Sequence, residues 1–214
     1  MATERARVGA FLVSEAQGTR AREQGTALAL NDGTTIIQSG TLAARVAKGA
    51  VTGAAGAGNT GNATIGTLSA LANSVAGIYT ASALSATRWA VYDPTGRFLG
   101  VAVNGTAFAV HVAFTITAGG TPAVAGDTFA ITVAAGSTKL VKWNPTGTNG
   151  SETIVGVFYN ETDVSGSTDV QTTFIARGAE VSAAQLIYNG ADAGQKTAAN
   201  AALLALGIHV RTGV

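Results

Sequence analysis

The sequence predicts a mainly β protein with minor α content, in which an α+β domain is interrupted by an all-β, sandwich-like insertion. Three observations carry this. Apolar and polar residues alternate with a period of two through the middle of the chain. Charge is displaced to the flanks: of 13 basic and 12 acidic residues, only Arg88, Asp93, Arg97 and Asp127 fall between Ala50 and Ser137. Helical spacing is convincing in one place only, near the C-terminus.

Taken in order, Met1 to Gly18 mixes Glu4, Arg5 and Arg7 with the apolar run Val8–Val13. That run suits a strand and is too short for a signal-peptide core or a membrane span. Leu42–Val46 reads as a second strand. Gly49–Gly61 is a Gly/Ala stretch with little side chain to pack, and residues 51–57 read as a linker. The domains expected are therefore 1–50 with 137–214, and an inserted unit at 58–136.

Within the insertion, Phe108, Val110, Val112, Phe114 and Ile116 alternate with small, polar or imidazole side chains, the pattern of a strand with one buried face. Leu99–Val103 and Phe129–Val133 repeat it. Asp93-Pro94-Thr95-Gly96 and Asn104-Gly105 separate such runs as tight turns. Short strands with a turn signal every ten or so residues imply a small antiparallel sandwich or barrel. After the insertion, Leu140–Trp143, Ile154–Tyr159 and Val170–Arg177 read as strands. Ala199, Ala202, Leu203 and Leu206 then stand at i, i+3, i+4 and i+7, Gly207 is placed as a C′ residue, and Ile208–Arg211 reads as a last strand.

A net charge of +1 gives no concentrated basic face for nucleic acid. With no cysteine and two distant histidines, His111 and His209, the chain offers little for a metal site or a histidine base. Gly56-Ala57-Gly58-Asn59-Thr60-Gly61 matches a dinucleotide fingerprint, but no hydrophobic strand leads into it and no amphipathic helix follows. Ser14 beside Glu15 and Ser151 beside Glu152 lack an elbow motif or a partner histidine. Glu161, Asp163 and Asp169 read as a solvated turn and not a calcium loop. Four sequons, at Asn62, Asn104, Asn149 and Asn160, read as turn chemistry. No enzyme, cofactor or metal centre is expected. Trp89 and Tyr92, with Tyr79, lie in the insertion, where exposed aromatics could stack on a sugar or a protein, although core packing is the commoner fate.

The flanks resemble the head decoration proteins of lambda-like phages. The segments that carry the resemblance are Val8–Ala16 with Gly18–Glu23, then Trp143-Asn144-Pro145, Asn149–Thr153 and Val155–Tyr159, then Ile175–Val181, Leu186 and Ala201–Arg211, in the family's order. The resemblance implies a β-tulip-like barrel with a C-terminal helix. It also implies a homotrimer bound to the major capsid protein on the outer surface of the virion, made in the host cytoplasm, that holds the expanded shell against the pressure of packaged DNA. The family's N-terminal arm orders on the capsid, which assigns capsid contact here to Thr3, Arg5, Arg7, Phe11 and Leu12. The middle unit departs from compact members and looks like the sandwich insertion of larger ones, expected to project as a knob that touches a host surface or glycan through Trp89 and Tyr92. The alternative is an adhesin or carbohydrate-binding module displayed on a phage surface or fibre; a tail-tube subunit would instead form open polymers.

Overall fold

A computed structural model of the chain describes residues 7–29 and 36–213. The protein is mainly β, 46% strand against 9% helix, as the alternation predicts. It divides into two compact units, Met1–Val46 with Thr138–Val214, and Ala47–Ser137.

The first unit begins with β1 (Leu12–Glu15), a one-turn α1 (Gly18–Ala21), β2 (Arg22–Ala27), β3 (Ile36–Ile37) and β4 (Leu42–Arg45). The run Val8–Val13, expected to be extended throughout, turns instead over Arg7–Phe11, where Ala10 N–H donates to the Arg7 carbonyl and Leu12 N–H to the Gly9 carbonyl.

The insertion holds β5 (Lys48–Ala55), β6 (Thr64–Ala70), β7 (Gly77–Ala83), β8 (Arg88–Tyr92), β9 (Phe98–Val103), β10 (Ala107–Ala109), β11 (Val112–Thr117) and β12 (Thr128–Ala135). They form a five-stranded sheet ordered β5-β12-β7-β8-β9 and a three-stranded sheet ordered β10-β11-β6. Inward residues of both, among them Tyr79, Trp89, Phe114, Phe129 and Ile131, make one core in which the Trp89 and Phe129 rings lie 5.0 Å apart. Two expectations change here. Residues 51–55, read as linker, belong to β5, which pairs antiparallel with β12 from Lys48↔Ala135 to Ala55↔Phe129. The run 108–116 is two strands, broken at Val110 and His111, with Val110 exposed.

The chain returns through β13 (Leu140–Lys142), β14 (Ile154–Phe158), β15 (Thr162–Asp163), β16 (Val170–Ile175), β17 (Ala179–Ser182), α2 (Ala193–Ala205) and β18 (Ile208–Arg211). Strands β13-β2-β16-β14-β4 close into a small barrel, and β1-β17-β18 form a separate sheet. Period two explains how one set of strands serves two cores. Ala43, Leu140, Phe158 and Phe174 cluster inside the barrel, while their neighbours Leu42, Ala44, Val141, Val157 and Ile175 cluster with Phe11, Trp143, Val181 and Leu203.

Helix α2 starts at a capping box: Gln195 N–H donates to the Asp192 carboxylate (2.8 Å) and Asp192 N–H to the Gln195 side-chain oxygen (2.9 Å). It buries Ala199 and Leu203, with Ala202 and Leu206 packed alongside, the face predicted from spacing. Burying Leu203 stabilises by roughly 1.5–3 kcal/mol. Gly207, at φ +74°, turns the chain into β18, which runs parallel to β17.

Gly156 marks a bulge where the β14–β4 register shifts, at φ +155°. A Cβ there would stand 2.1 Å from the Ile175 carbonyl oxygen. Gly156→Ala is therefore expected to destabilise the barrel by at least ~1–3 kcal/mol from backbone strain alone, before the clash is relieved. Thermal unfolding followed by Trp143 fluorescence measures it; an unchanged midpoint would refute this account of the bulge.

Candidate functional site

The N-terminal segment and the insertion hold every side chain singled out for contact. Thr3 and Arg5 lie outside the described residues. Arg7 and Val8 are exposed and Leu12 is half-buried. Phe11 is placed otherwise: it is 1% exposed and packs edge-on against Tyr159, ring centroids 6.4 Å apart. An apolar ring in that position is an anchor for the segment and offers no face to a partner. Around it, Gly9 N–H donates to Ser39 Oγ (3.1 Å), whose hydroxyl donates to the Tyr159 carbonyl (2.8 Å), and Ser182 N–H donates to the Phe11 carbonyl.

Past the anchor, β1 is an edge strand paired antiparallel with β17, and Val13 is 45% exposed. Glu15 pairs with Arg22, whose guanidinium lies 3.9 Å over the Tyr159 ring centroid. Glu180 on β17 accepts from Arg211 and Ser14, and its carboxyl is held below the usual range, chiefly by Arg211. The exposed apolar residues Val8 and Val13 flank the buried Phe11. Only Phe11's tertiary partner, far away in sequence, shows which of the three turns inward.

In the insertion, Trp89 is fully buried, with its indole N–H donating to Asn104 Oδ1 (2.8 Å). It cannot stack on a ligand, because both ring faces are packed in the sandwich core. Tyr92 is half-buried and sits edge-on to Phe98, which is 54% exposed, at 5.7 Å between centroids.

The glycine motif at Gly56–Gly61 also resolves. Thr60 N–H donates to one oxygen of Asp127, and Gly61 and Val124 N–H donate to the other, at 2.8, 2.8 and 3.1 Å. Backbone donors that could cradle a phosphate are thus held by the chain's own carboxylate. Those bonds, led by Thr60, keep Asp127 below the usual aspartate range, and Asp93 is held at about 2, chiefly by the Thr95 hydroxyl. With both carboxyls depressed, this stabilisation is complete at neutral pH and is lost under acid; the Asp93 share goes as pH falls from about 4 through about 2, and the Asp127 share as pH falls below the usual aspartate range. Acid titration of Trp89 fluorescence in a Trp143→Phe background is expected to show the loss, and Asp127→Asn to reduce its slope. A slope unchanged by that substitution would remove Asp127 from the account.

No cluster of three or more His, Asp or Glu suited to a metal occurs among the described residues. His111 lies beside Arg97 (3.2 Å) and edge-on to Tyr79, and His209 is on β18. Asp163 caps Ser165 and Asp169 pairs with Lys139, so the acidic residues near Gly166 serve separate local bonds. In the first unit, an open groove of about 600 Å³ is lined by Leu28, Val141, Trp143, Asn149, Ser151 and Asn189, among others. It presents the side-chain amides of Asn144, Asn149 and Asn189, the Ser151 hydroxyl and Lys142.

Comparison with known proteins places this geometry. Residues 1–208 match the family model described as bacteriophage lambda head decoration protein D. A search of curated protein sequences found no match. Among solved structures, two crystal forms of Xanthomonas campestris FlgL are similar at 23% and 24% identity, over 45% and 47% of this chain and 33% of each of theirs, both with TM-score 0.34. The flagellar hook junction protein FlgK from Burkholderia pseudomallei is similar at 22% identity, over 56% of this chain and 21% of its own, TM-score 0.34. The chain spans a third or less of those structures, and they carry no argument about its fold or role.

Proposed function

The chain belongs to the bacteriophage lambda head decoration protein family, and from that membership we propose that it binds the outer face of the expanded capsid as a homotrimer and stabilises the shell against internal DNA pressure. The decoration role on the phage capsid comes with the family, which is structural.

The observation that best supports the reading is the anchored edge. Phe11 anchors the turn that leads into β1, and among the described residues β1 leaves one edge of its sheet unpaired, a template for strand addition. Thr3, Arg5, Arg7 and Leu12, with the exposed Val8 and Val13, are the contacts proposed, and Phe11 anchors the turn that Arg7 begins. Three such weak contacts in one closed trimer act at high effective concentration, so the assembly grips a lattice that one copy would leave.

Light scattering on the purified protein, followed by co-sedimentation with undecorated expanded capsids, tests this. A trimer that pellets with capsids is expected, and deletion of Ala2–Arg7 is expected to weaken binding by roughly 10²-fold or more, since all three contacts of the trimer go together. A monomer that stays in the supernatant would overturn the reading, and undiminished binding of the deletion variant would remove the arm from it. The glycan-binding alternative loses Trp89 to the core and rests on Tyr92 beside the exposed Phe98.

A further inference from the structure

Three Asn-Gly pairs occur among the described residues, at Asn104, Asn149 and Asn189. In such a pair the glycine amide nitrogen can attack the asparagine side-chain carbonyl carbon, unhindered by a Cβ on the following residue. The fold treats the three differently. Asn104 is tied at both ends: Oδ1 accepts from Trp89 and Nδ2 donates to the Ala86 carbonyl (3.1 Å), while Gly105 N–H is held on the Ile116 carbonyl. Asn189 Nδ2 donates to the Trp143 carbonyl (2.9 Å), which holds the leaving amide in place.

At Asn149 the groups needed for reaction converge. Gly150 N–H donates to the Glu152 carboxylate (2.8 Å), so the nucleophile is already hydrogen-bonded to a base. Asn149 Oδ1 accepts from Ser151 N–H (3.1 Å), a donor aimed at the oxygen that gains charge when the carbonyl is attacked. Asn149 is exposed, and its Nδ2 has no hydrogen-bond partner among the described residues, so the leaving group faces water. The loop is held in this arrangement by Asn144 N–H on the Ser151 carbonyl and Trp143 Nε1–H on the Glu152 carbonyl.

We propose that Asn149 is a self-modification site, where the fold promotes deamidation through a cyclic imide. Glu152 takes the Gly150 amide proton as that nitrogen bonds to Asn149 Cγ, and the oxyanion forms on Oδ1 beside Ser151 N–H. Collapse breaks the Cγ–Nδ2 bond, the proton returns from Glu152 to the departing nitrogen, and ammonia leaves. Water then opens the imide to aspartate or isoaspartate, with no change of oxidation state. The product places a new carboxylate on the rim of the groove that Asn149 lines. This inference stands apart from the capsid role.

The test is peptide mapping by mass spectrometry of the full chain held at neutral pH and physiological temperature, reading amide-to-acid conversion at all three asparagines. Conversion at Asn149 is expected to outrun Asn104 and Asn189 in the folded protein, and the three rates to draw together in urea. Glu152→Gln keeps an acceptor for Gly150 N–H and removes the base. It is expected to slow Asn149 by roughly a hundredfold, the lower end of what a positioned base contributes, with Asn104 and Asn189 unchanged as the check on folding. Asn149 converting no faster than the other two, holding the same lead in urea, or ignoring Glu152→Gln would each overturn the proposal.

Discussion

Phe129→Ala is expected to lower the stability of the insertion by roughly 3–5 kcal/mol while leaving the barrel unit as it was. Phe129 is 1% exposed on β12, a strand paired on both sides, by β5 and by β7. Its ring meets that of Trp89, which β8 of the same five-stranded sheet turns into the core, so truncation removes apolar area and also leaves a cavity that the paired strands around it cannot close without losing their register. A sandwich of this size has a stability of the same order as that loss, so the insertion should be substantially unfolded under mild warming. The chain carries two tryptophans, Trp89 in the insertion and Trp143 in the barrel unit, and each reports on its own unit. Denaturant titrations in Trp143→Phe and Trp89→Phe backgrounds should therefore show one transition move and the other hold. Equal movement of both would mean that the two units unfold as one.

The same residues show what the sequence could and could not disclose. Of the barrel strands, β4, β13, β14 and β16 are legible because each alternates between two apolar destinations, whereas β2, with the sequence Arg-Glu-Gln-Gly-Thr-Ala, carries no apolar alternation and is placed by its pairing with β16; the face of α2 is legible because Ala199 and Leu203 recur at helical spacing. The start of α2 carries a signal of its own in Asp192 and Gln195, an acidic N-cap three residues before a glutamine, which lies upstream of the apolar spacing that begins at Ala199. Strand β5 was not legible: Lys48-Gly-Ala-Val-Thr-Gly-Ala-Ala has almost no side-chain pattern, and its conformation is imposed by pairing with β12, far along the chain. Nor could alternation reveal the break at Val110 and His111, because the period of two runs on while the chain reverses there and β10 folds back to pair antiparallel with β11.

For the contact residues the limit was of another kind. An apolar residue in a polar arm reads equally as a partner contact or as an anchor, and Phe11 is decided by Tyr159, which no local pattern places beside it. Trp89 is decided by Phe129 and Asn104 in the same way. What survived from sequence to structure as contact candidates are the residues whose exposure needs no distant partner, Arg7 among them.

Excision of Ala47–Ser137, with Val46 joined to Thr138 through an Asn-Gly turn, is expected to leave a folded barrel unit. The two ends already meet: Thr138 N–H donates to the Val46 carbonyl (2.9 Å), Val46 N–H donates to the Lys139 carbonyl (3.0 Å), and β4 pairs antiparallel with β13 from Arg45↔Leu140 onward. Strands so registered are what a two-residue primed turn connects, and Asn-Gly supplies the positive φ that such a turn requires. The shortened chain should keep the Trp143 unfolding midpoint of the full chain to within roughly 0.5 kcal/mol, the tolerance for independent parts of a structure. If the capsid contacts lie in the N-terminal segment, it should also sediment with expanded capsids as the full chain does. Insoluble or molten product would show that the barrel needs the sandwich to fold. A folded product that no longer bound capsids would move the contact surface from the arm to the insertion, because the excision leaves residues 1–46 untouched and removes only what β4 and β13 carry between them.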